Sequence, residues 1–178
     1  MAKICFLLLC HKNPDLIVEQ AEMLTDSGDY VSIHFDARAS LADFTTIRAA
    51  LQDNGHVCFA NRVKCGWGEW SLVQGSLNAL RKGFETFTDA THFYMLSGDC
   101  MPIKPVTHMH WFLDNSGKDY IEHHDYFESD WIKVGLKEER LVYRHWFNER
   151  TKKPVFYASV AVQRTLGLQR ELPDGLQI

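Results

Sequence analysis

Apolar positions fall into short continuous runs separated by longer stretches with one apolar stripe, which predicts strands alternating with helices. Residues Lys3 to Cys10 are almost wholly apolar and predict a strand covered on both faces. Asn13 then offers a helix cap, with Pro14 at the first helical position and Ser27-Gly28 as the stop. The next strand is expected over Val31 to Asp36. A second helix follows, capped by Ser40 and running to about Gln52, before the turn at Asn54-Gly55. His56 to Ala60 predicts a short third strand, and Trp70 to Phe87 a third helix. His92 to Leu96 reads as a fourth strand, Val106 to Leu113 as a short helix, and Tyr120 to His123 as the start of another strand.

Beyond Tyr126 the pattern weakens into an aromatic and charged stretch from Trp131 to Trp146, then a basic turn at Arg150 to Lys153. Val155 to Val162 is apolar enough for a strand or a helix. Strands alternating with helices imply an α/β fold, a Rossmann-type, mostly parallel sheet with helices on both faces. Ligands of such sheets bind at the carboxyl ends of the strands, so the residues that end each strand carry the functional weight.

Strand one ends in Cys10-His11-Lys12-Asn13 and opens a helix, where free N–H groups favour anions. Strand two ends in Asp36, a carboxylate suited to a ribose hydroxyl or a base N–H. The loop before the third helix holds Gly66-Trp67-Gly68-Glu69-Trp70: tryptophan faces suit a sugar or base, and anchoring the helix in the core is the competing role. Strand four runs into Ser97-Gly98-Asp99-Cys100, a small, flexible, acidic turn. A glycine-rich phosphate loop is absent, and no Asp-x-Asp follows strand four to hold a metal diphosphate. His108-x-His110 and His123-His124-Asp125 could supply metal ligands but make a weak case, because the first pair lies in a short helix, where residues two apart point in different directions, and no ExxH or HxxxH spacing accompanies it.

With 178 residues, 46% hydrophobic and 24% charged, the chain suits one α/β domain, and its net charge of -4 gives no support to a nucleic-acid partner. The longest apolar run, Ile4 to Cys10, is far short of the ~20 residues that span a bilayer. Five cysteines without a CxxC pair suggest reduced thiols and a cytoplasmic protein, free or peripheral to a membrane. Cys5 and Cys58 are expected as small core hydrophobes, whereas Cys10, Cys65 and Cys100 lie nearer strand ends, where a thiol can react.

The motifs together resemble the core-2/I-branching N-acetylglucosaminyltransferases and peptide O-xylosyltransferases, glycosyltransferase family 14. The resemblance runs through Leu9-Cys10-His11-Lys12, Ile33-His34-Phe35-Asp36, Trp70-Ser71 and Leu96-Ser97-Gly98-Asp99-Cys100-Met101-Pro102-Ile103, in the same order and spacing over about Ile4 to Asp125. The family's strand-four aspartate falls on Cys100, with Asp99 one place early.

What the resemblance implies is a GT-A-like nucleotide-diphospho-sugar transferase fold and an inverting, metal-independent transfer of N-acetylglucosamine or xylose. The donor is a UDP-sugar, the acceptor a glycan or protein hydroxyl, and no cofactor is needed. By position, Asp36 meets the uridine, while His11, Trp70, Ser97, Gly98 and Asp99 line the donor pocket. Glu122 and His124 look like the acceptor strand, with Trp131 and Lys133 nearby. Glu122 is the first internal candidate for the general base and Asp99 the second. The family's own glutamate base and late basic residues are expected past Ile178, which makes residues 1–178 a single GT-A-like domain, the donor-binding N-terminal part of a longer enzyme. Two other readings stay open: a hydrolase using Asp36 and Asp99 as paired carboxylates, and a nucleotide- or sugar-binding module without catalysis.

Overall fold

The computed structural model describes residues 1–121 and 139–171. They fall in two units, Met1–Asp119 and Tyr120–Ile178. The first unit is a four-stranded, all-parallel sheet in the order β3-β2-β1-β4. Its elements are β1 (Ile4–Cys10), α1 (Pro14–Thr25), β2 (Tyr30–Phe35), α2 (Leu41–Ala50), β3 (Val57–Phe59), α3 (Trp70–Thr86), β4 (His92–Ser97) and α4 (Val106–Ser116).

Period-two alternation sends β1 side chains to two cores. Ile4, Phe6, Leu8 and Cys10 pack with Val31, Ile33 and Phe35 of β2 against Ile17, Ala21 and Leu24 of α1, Ile47 of α2 and Val106 of α4. On the opposite face Cys5 and Leu7 join Cys58, Ala60, Ala79 of α3 and Phe87. The continuous apolar run of β1 is thus buried on both sides.

Helix α3 approaches its face closely because Gly75, Ala79 and Gly83 recur every four residues on the side that meets the sheet. A Cβ at Gly75 would stand 2.9 Å from the His34 ring, and one at Gly83 would stand 2.7 Å from Cys5 Sγ. Ser32 Oγ donates to the Ala79 carbonyl at 2.8 Å, which satisfies a buried hydroxyl without disturbing the helix.

One local expectation changes, and one strand is covered differently from β1. Asn13 caps α1 through a left-handed backbone (φ 55°) with no side-chain bond, whereas Ser40 does cap α2 by accepting from the Asp43 N–H at 3.2 Å. Strand β4 lies at the end of the sheet among the described strands, and Tyr94 and Met95 are exposed, so its apolar run does not carry burial on both faces.

At the amino edge of the sheet Asp29, fully buried, accepts the Ile4 N–H at 2.8 Å on one oxygen and faces His110 Nε2 at 2.7 Å with the other. The His56 ring meets the Asp29 carbonyl at 2.9 Å. His110 therefore serves to fix α4 against the turn between α1 and β2.

In the second unit the described residues form α5 (Glu139–Val142) and α6 (Lys153–Leu166), which settles Val155 to Val162 as helix. Phe156 and Val160 pack with Tyr143, Phe147 and Tyr157. Gln163 bridges the Arg144 backbone in both directions, accepting its N–H and donating to its carbonyl, each at 2.9 Å.

Candidate functional site

The strand order reverses at β1. From β1 the chain moves through α1 to β2 and then β3, and α3 returns it to β4 on the other side of β1. The helices leaving β1 and arriving at β4 lie on opposite faces, so the switch point at which open α/β sheets form their binding crevice falls between the carboxyl ends of these two strands. His11, Lys12, Ser97, Gly98 and Asp99 all fall there.

Gly98 makes the crevice tight. Its N–H donates to the Leu9 carbonyl at 2.9 Å, and a Cβ would come within 2.6 Å of Ile17 Cδ1 and 2.8 Å of Cys10 Cβ. Gln20, buried on α1, donates through Nε2 to the Cys100 carbonyl at 2.5 Å, tying the turn to the helix behind it. Across the opening Lys12 Nζ and Asp99 Oδ2 stand 3.1 Å apart, both about half exposed. Such an exposed pair contributes only ~0–1 kcal/mol to stability, so an incoming anion can take Lys12 cheaply. His11 is exposed beside it. Asp15 in the first turn of α1 opposes an anion at that helix end, which leaves Lys12 as the positive group there, with the His11 imidazole beside it.

Ser97 organises the rest of the turn. Its hydroxyl accepts the Asp99 N–H at 3.3 Å and meets Cys100 Sγ at 3.3 Å, and its carbonyl accepts the Cys100 N–H at 3.0 Å. The hydrogen bonds from Ser97 stabilise the thiolate and hold the Cys100 thiol below its ordinary range, although the nearby Asp99 charge works against them. Cys100 is exposed. Burial pushes Cys5 and Cys10 up to about 12, and raises Cys58 and Cys65 as well. Of the three cysteines near strand ends, Cys100 alone combines exposure with a depressed thiol.

Asp36 ends β2 as a half-buried carboxylate. Its Oδ1 accepts two backbone N–H groups, from Arg38 at 2.7 Å and from Cys65 at 3.1 Å. The second bond draws the 61–69 loop over the end of β2. His34 supports the same loop: Nε2 accepts the Val63 N–H at 3.2 Å, and burial holds the imidazole pKa below its ordinary value despite the Asp36 charge. An accepting Nε2 and a depressed pKa describe one state, the neutral ring.

Arg62 completes the support. It donates to the carbonyls of Phe35 (3.0 Å), Asp36 (2.8 Å) and Ala39 (3.2 Å) while lying 4.4 Å from the centroid of the Phe44 ring. Sequence patterning missed Arg62 and His34 as supports, since nothing local marks a side chain whose partners are backbone groups some 30 residues away. The aromatic pair His34-Phe35 just before Asp36 was the available signal.

Trp67 and Trp70 are 70% and 67% exposed, so core anchoring is not their role. The loop that carries them is held from below: Gly66 N–H donates to Ser71 Oγ at 2.9 Å, Gly68 takes a left-handed φ of 72°, and Asn78 Nδ2 donates to the Asn61 carbonyl at 2.8 Å. The structure thus gathers His11, Ser97, Gly98 and Asp99 at the β1/β4 crevice, and Asp36 with Trp70 at either end of the loop over β2. Glu122, His124, Trp131 and Lys133 lie outside the described residues. His108 and His110 diverge, the first exposed and stacked 5.7 Å from Trp111, the second buried on Asp29. Among the described residues no three His, Cys, Asp or Glu side chains gather as a cation site.

A four-stranded parallel sheet with helices around it and its polar groups collected at the reversal of strand order defines an α/β fold, consistent with a GT-A-like one. The model of the core-2/I-branching enzyme family matches residues 4–158, and the chain belongs to that family, a family of glycosyltransferases. No curated protein matches the chain at a significant level. Among the described residues no helix is long and apolar enough to cross a membrane.

Proposed function

We propose that this chain binds a UDP-sugar and serves an inverting, metal-independent transfer of N-acetylglucosamine or xylose to a hydroxyl of a glycan or protein. The observation that carries the reading is the crevice at the strand-order reversal, where Lys12 faces Asp99 across the Ser97-Gly98 turn, in a chain of the core-2/I-branching family.

The uridine lies along the β2 end. Asp36 commits Oδ1 to the loop, so Oδ2 is the oxygen left to accept from a base N–H or a ribose hydroxyl. Trp70 and Trp67 offer exposed ring faces above the same loop. The diphosphate lies at the β1 end, where Lys12 leaves Asp99 and, with His11, offsets the charge that grows as the diphosphate departs. A base takes the acceptor proton, the acceptor oxygen bonds to the anomeric carbon from the face opposite the diphosphate, and the bond from that carbon to the diphosphate oxygen breaks, inverting the centre. Within residues 1–178 Glu122 is the first candidate for that base and Asp99 the second, while the resemblance puts the family's own glutamate past Ile178.

Metal independence is supported by the donor set. The turn after β4 offers one carboxylate, Asp99, already paired with Lys12, where a divalent cation needs several oxygen ligands. The paired-carboxylate hydrolase is the weaker reading. Asp36 and Asp99 end strands separated by β1, and two strand spacings amount to roughly 9.6 Å, beyond the ~5–5.5 Å of a retaining pair and at the upper edge of the ~6.5–9.5 Å of an inverting one, while both carboxylates are already engaged, Asp36 with two backbone N–H groups and Asp99 with Lys12.

Calorimetry with UDP tests the binding, in chelator and again with manganese. Saturable binding in chelator is the expected result. Binding that appears only with manganese overturns the metal-independent assignment, and no binding under either condition overturns the donor site. Incubation with UDP-N-acetylglucosamine or UDP-xylose and a panel of acceptors then separates transfer from binding alone.

A further inference from the structure

Between β4, the 100–104 loop and the first turns of α4 the first unit holds a cavity of about 520 Å³, well within the range of small-molecule sites. Its walls are apolar: Phe6, Tyr94 and Leu96 from the sheet, Met109 and Phe112 from α4. Lys104 and His108 also line it, both exposed, with Lys104 Nζ and His108 Nε2 3.2 Å apart. An ammonium has protons and no lone pair, so Lys104 donates and the imidazole accepts. Among the described residues no carboxylate lines it. An anionic oxygen entering between the two nitrogens would accept from Lys104 and, with a proton on Nε2, from His108 too, replacing a charged-to-neutral contact with two charge-assisted ones.

Charge and shape therefore select the same kind of ligand. An apolar cavity of this size takes an alkyl chain or a ring, and the nitrogen pair at its edge takes an anionic head attached to it. We propose that this cavity is a binding site for a monomeric anionic amphiphile, the apolar body lying against Phe6, Leu96 and Phe112 and a phosphate or carboxylate head meeting Lys104 and His108. The site is separate from the donor reading, although Cys100 touches both the cavity and the β4 turn.

The test is titration of the full chain with dodecyl phosphate, dodecanoate and neutral dodecyl maltoside, each below its micellar concentration, read by calorimetry. Saturable binding of one anionic amphiphile per chain is expected, with the maltoside at least about tenfold weaker, since a hydrogen bond to a charged group is worth about that factor. Phosphate and carboxylate arms show which head the nitrogens prefer. Lys104→Met and His108→Gln, both at exposed positions, are expected to bring the anionic ligands down to the level of the maltoside and to leave the maltoside unchanged. Equal binding of charged and neutral chains, no saturable binding of any, or unchanged affinity in both variants overturns the proposal. So does co-sedimentation with phosphatidylglycerol vesicles without binding of monomer, which would point to a membrane surface instead. UDP titration of the same samples reports on the donor site independently.

Discussion

Asp36 is predicted to do two jobs, and replacing it by alanine and by asparagine separates them. Oδ1 holds the Arg38 and Cys65 N–H groups, at 2.7 and 3.1 Å, and so positions the 61–69 loop with its exposed Trp67 and, where the loop enters α3, the exposed Trp70. Alanine removes both bonds. A half-buried carboxylate shares such bonds with water, so each is worth about 1 kcal/mol and the loss is about 2 kcal/mol. For a chain of this size that lowers Tm by about 4–8 °C. Asparagine keeps an oxygen in the Oδ1 place, so both bonds survive in neutral form and the cost stays under about 1 kcal/mol. Its second atom, however, becomes an NH2 group that donates where the carboxylate accepted. If Oδ2 receives a uridine N–H or hydroxyl, Asp36→Asn loses about 1.5–3 kcal/mol of binding, or roughly tenfold to a hundredfold in Kd for UDP. The assays are thermal unfolding and calorimetry on the two variants side by side. UDP affinity in Asp36→Asn within about twofold of wild type would refute contact with the nucleotide and leave Asp36 as a loop support. An Asp36→Ala variant as stable as wild type would refute the loop role.

Gly83→Ala is expected to destabilise by about 1–3 kcal/mol although alanine is the better helix former, because its Cβ would meet Cys5 Sγ at 2.7 Å in a packed face; Gly55→Ala, with open space around it, should be neutral or slightly stabilising, and denaturant melts compare them. Brief alkylation with iodoacetamide followed by peptide mass mapping should modify Cys100 well before Cys5, Cys10 and Cys58; equal rates would contradict the thiol environments described. Burial lowers the pKa of His34 and of His145, so the unfolded chain binds more protons as pH drops below their ordinary value of 6.5. Stability is then full above that pH and declines below it, and a His34→Gln variant should show a shallower decline in Tm between pH 7 and 5 (approximately) than wild type.

The alternation of elements was legible in the residues because buried parallel strands are short, continuous apolar runs and their helices carry one stripe. Ile4 to Cys10 and Trp70 to Thr86 announce themselves in that way. The strand ends were legible too, since polar residues after an apolar run mark where the chain leaves the sheet, and these gave His11, Asp36, Ser97, Gly98 and Asp99. Strand order was not, because pairing joins residues distant in the chain. Only the order β3-β2-β1-β4 brings Lys12 to Asp99 and places Asp36 two strands from it. The roles of Gly75 and Gly83 were hidden for the same reason: a glycine in a helix looks like a defect until the side chain that needs its space is known. Arg62, His34 and Gln20 act on backbone groups of other segments, and no local pattern marks such partners. Sequence thus determined which residues could do chemistry, and tertiary structure decided which of them meet, because hydrophobic periodicity is a local property and the juxtaposition of strand ends is not.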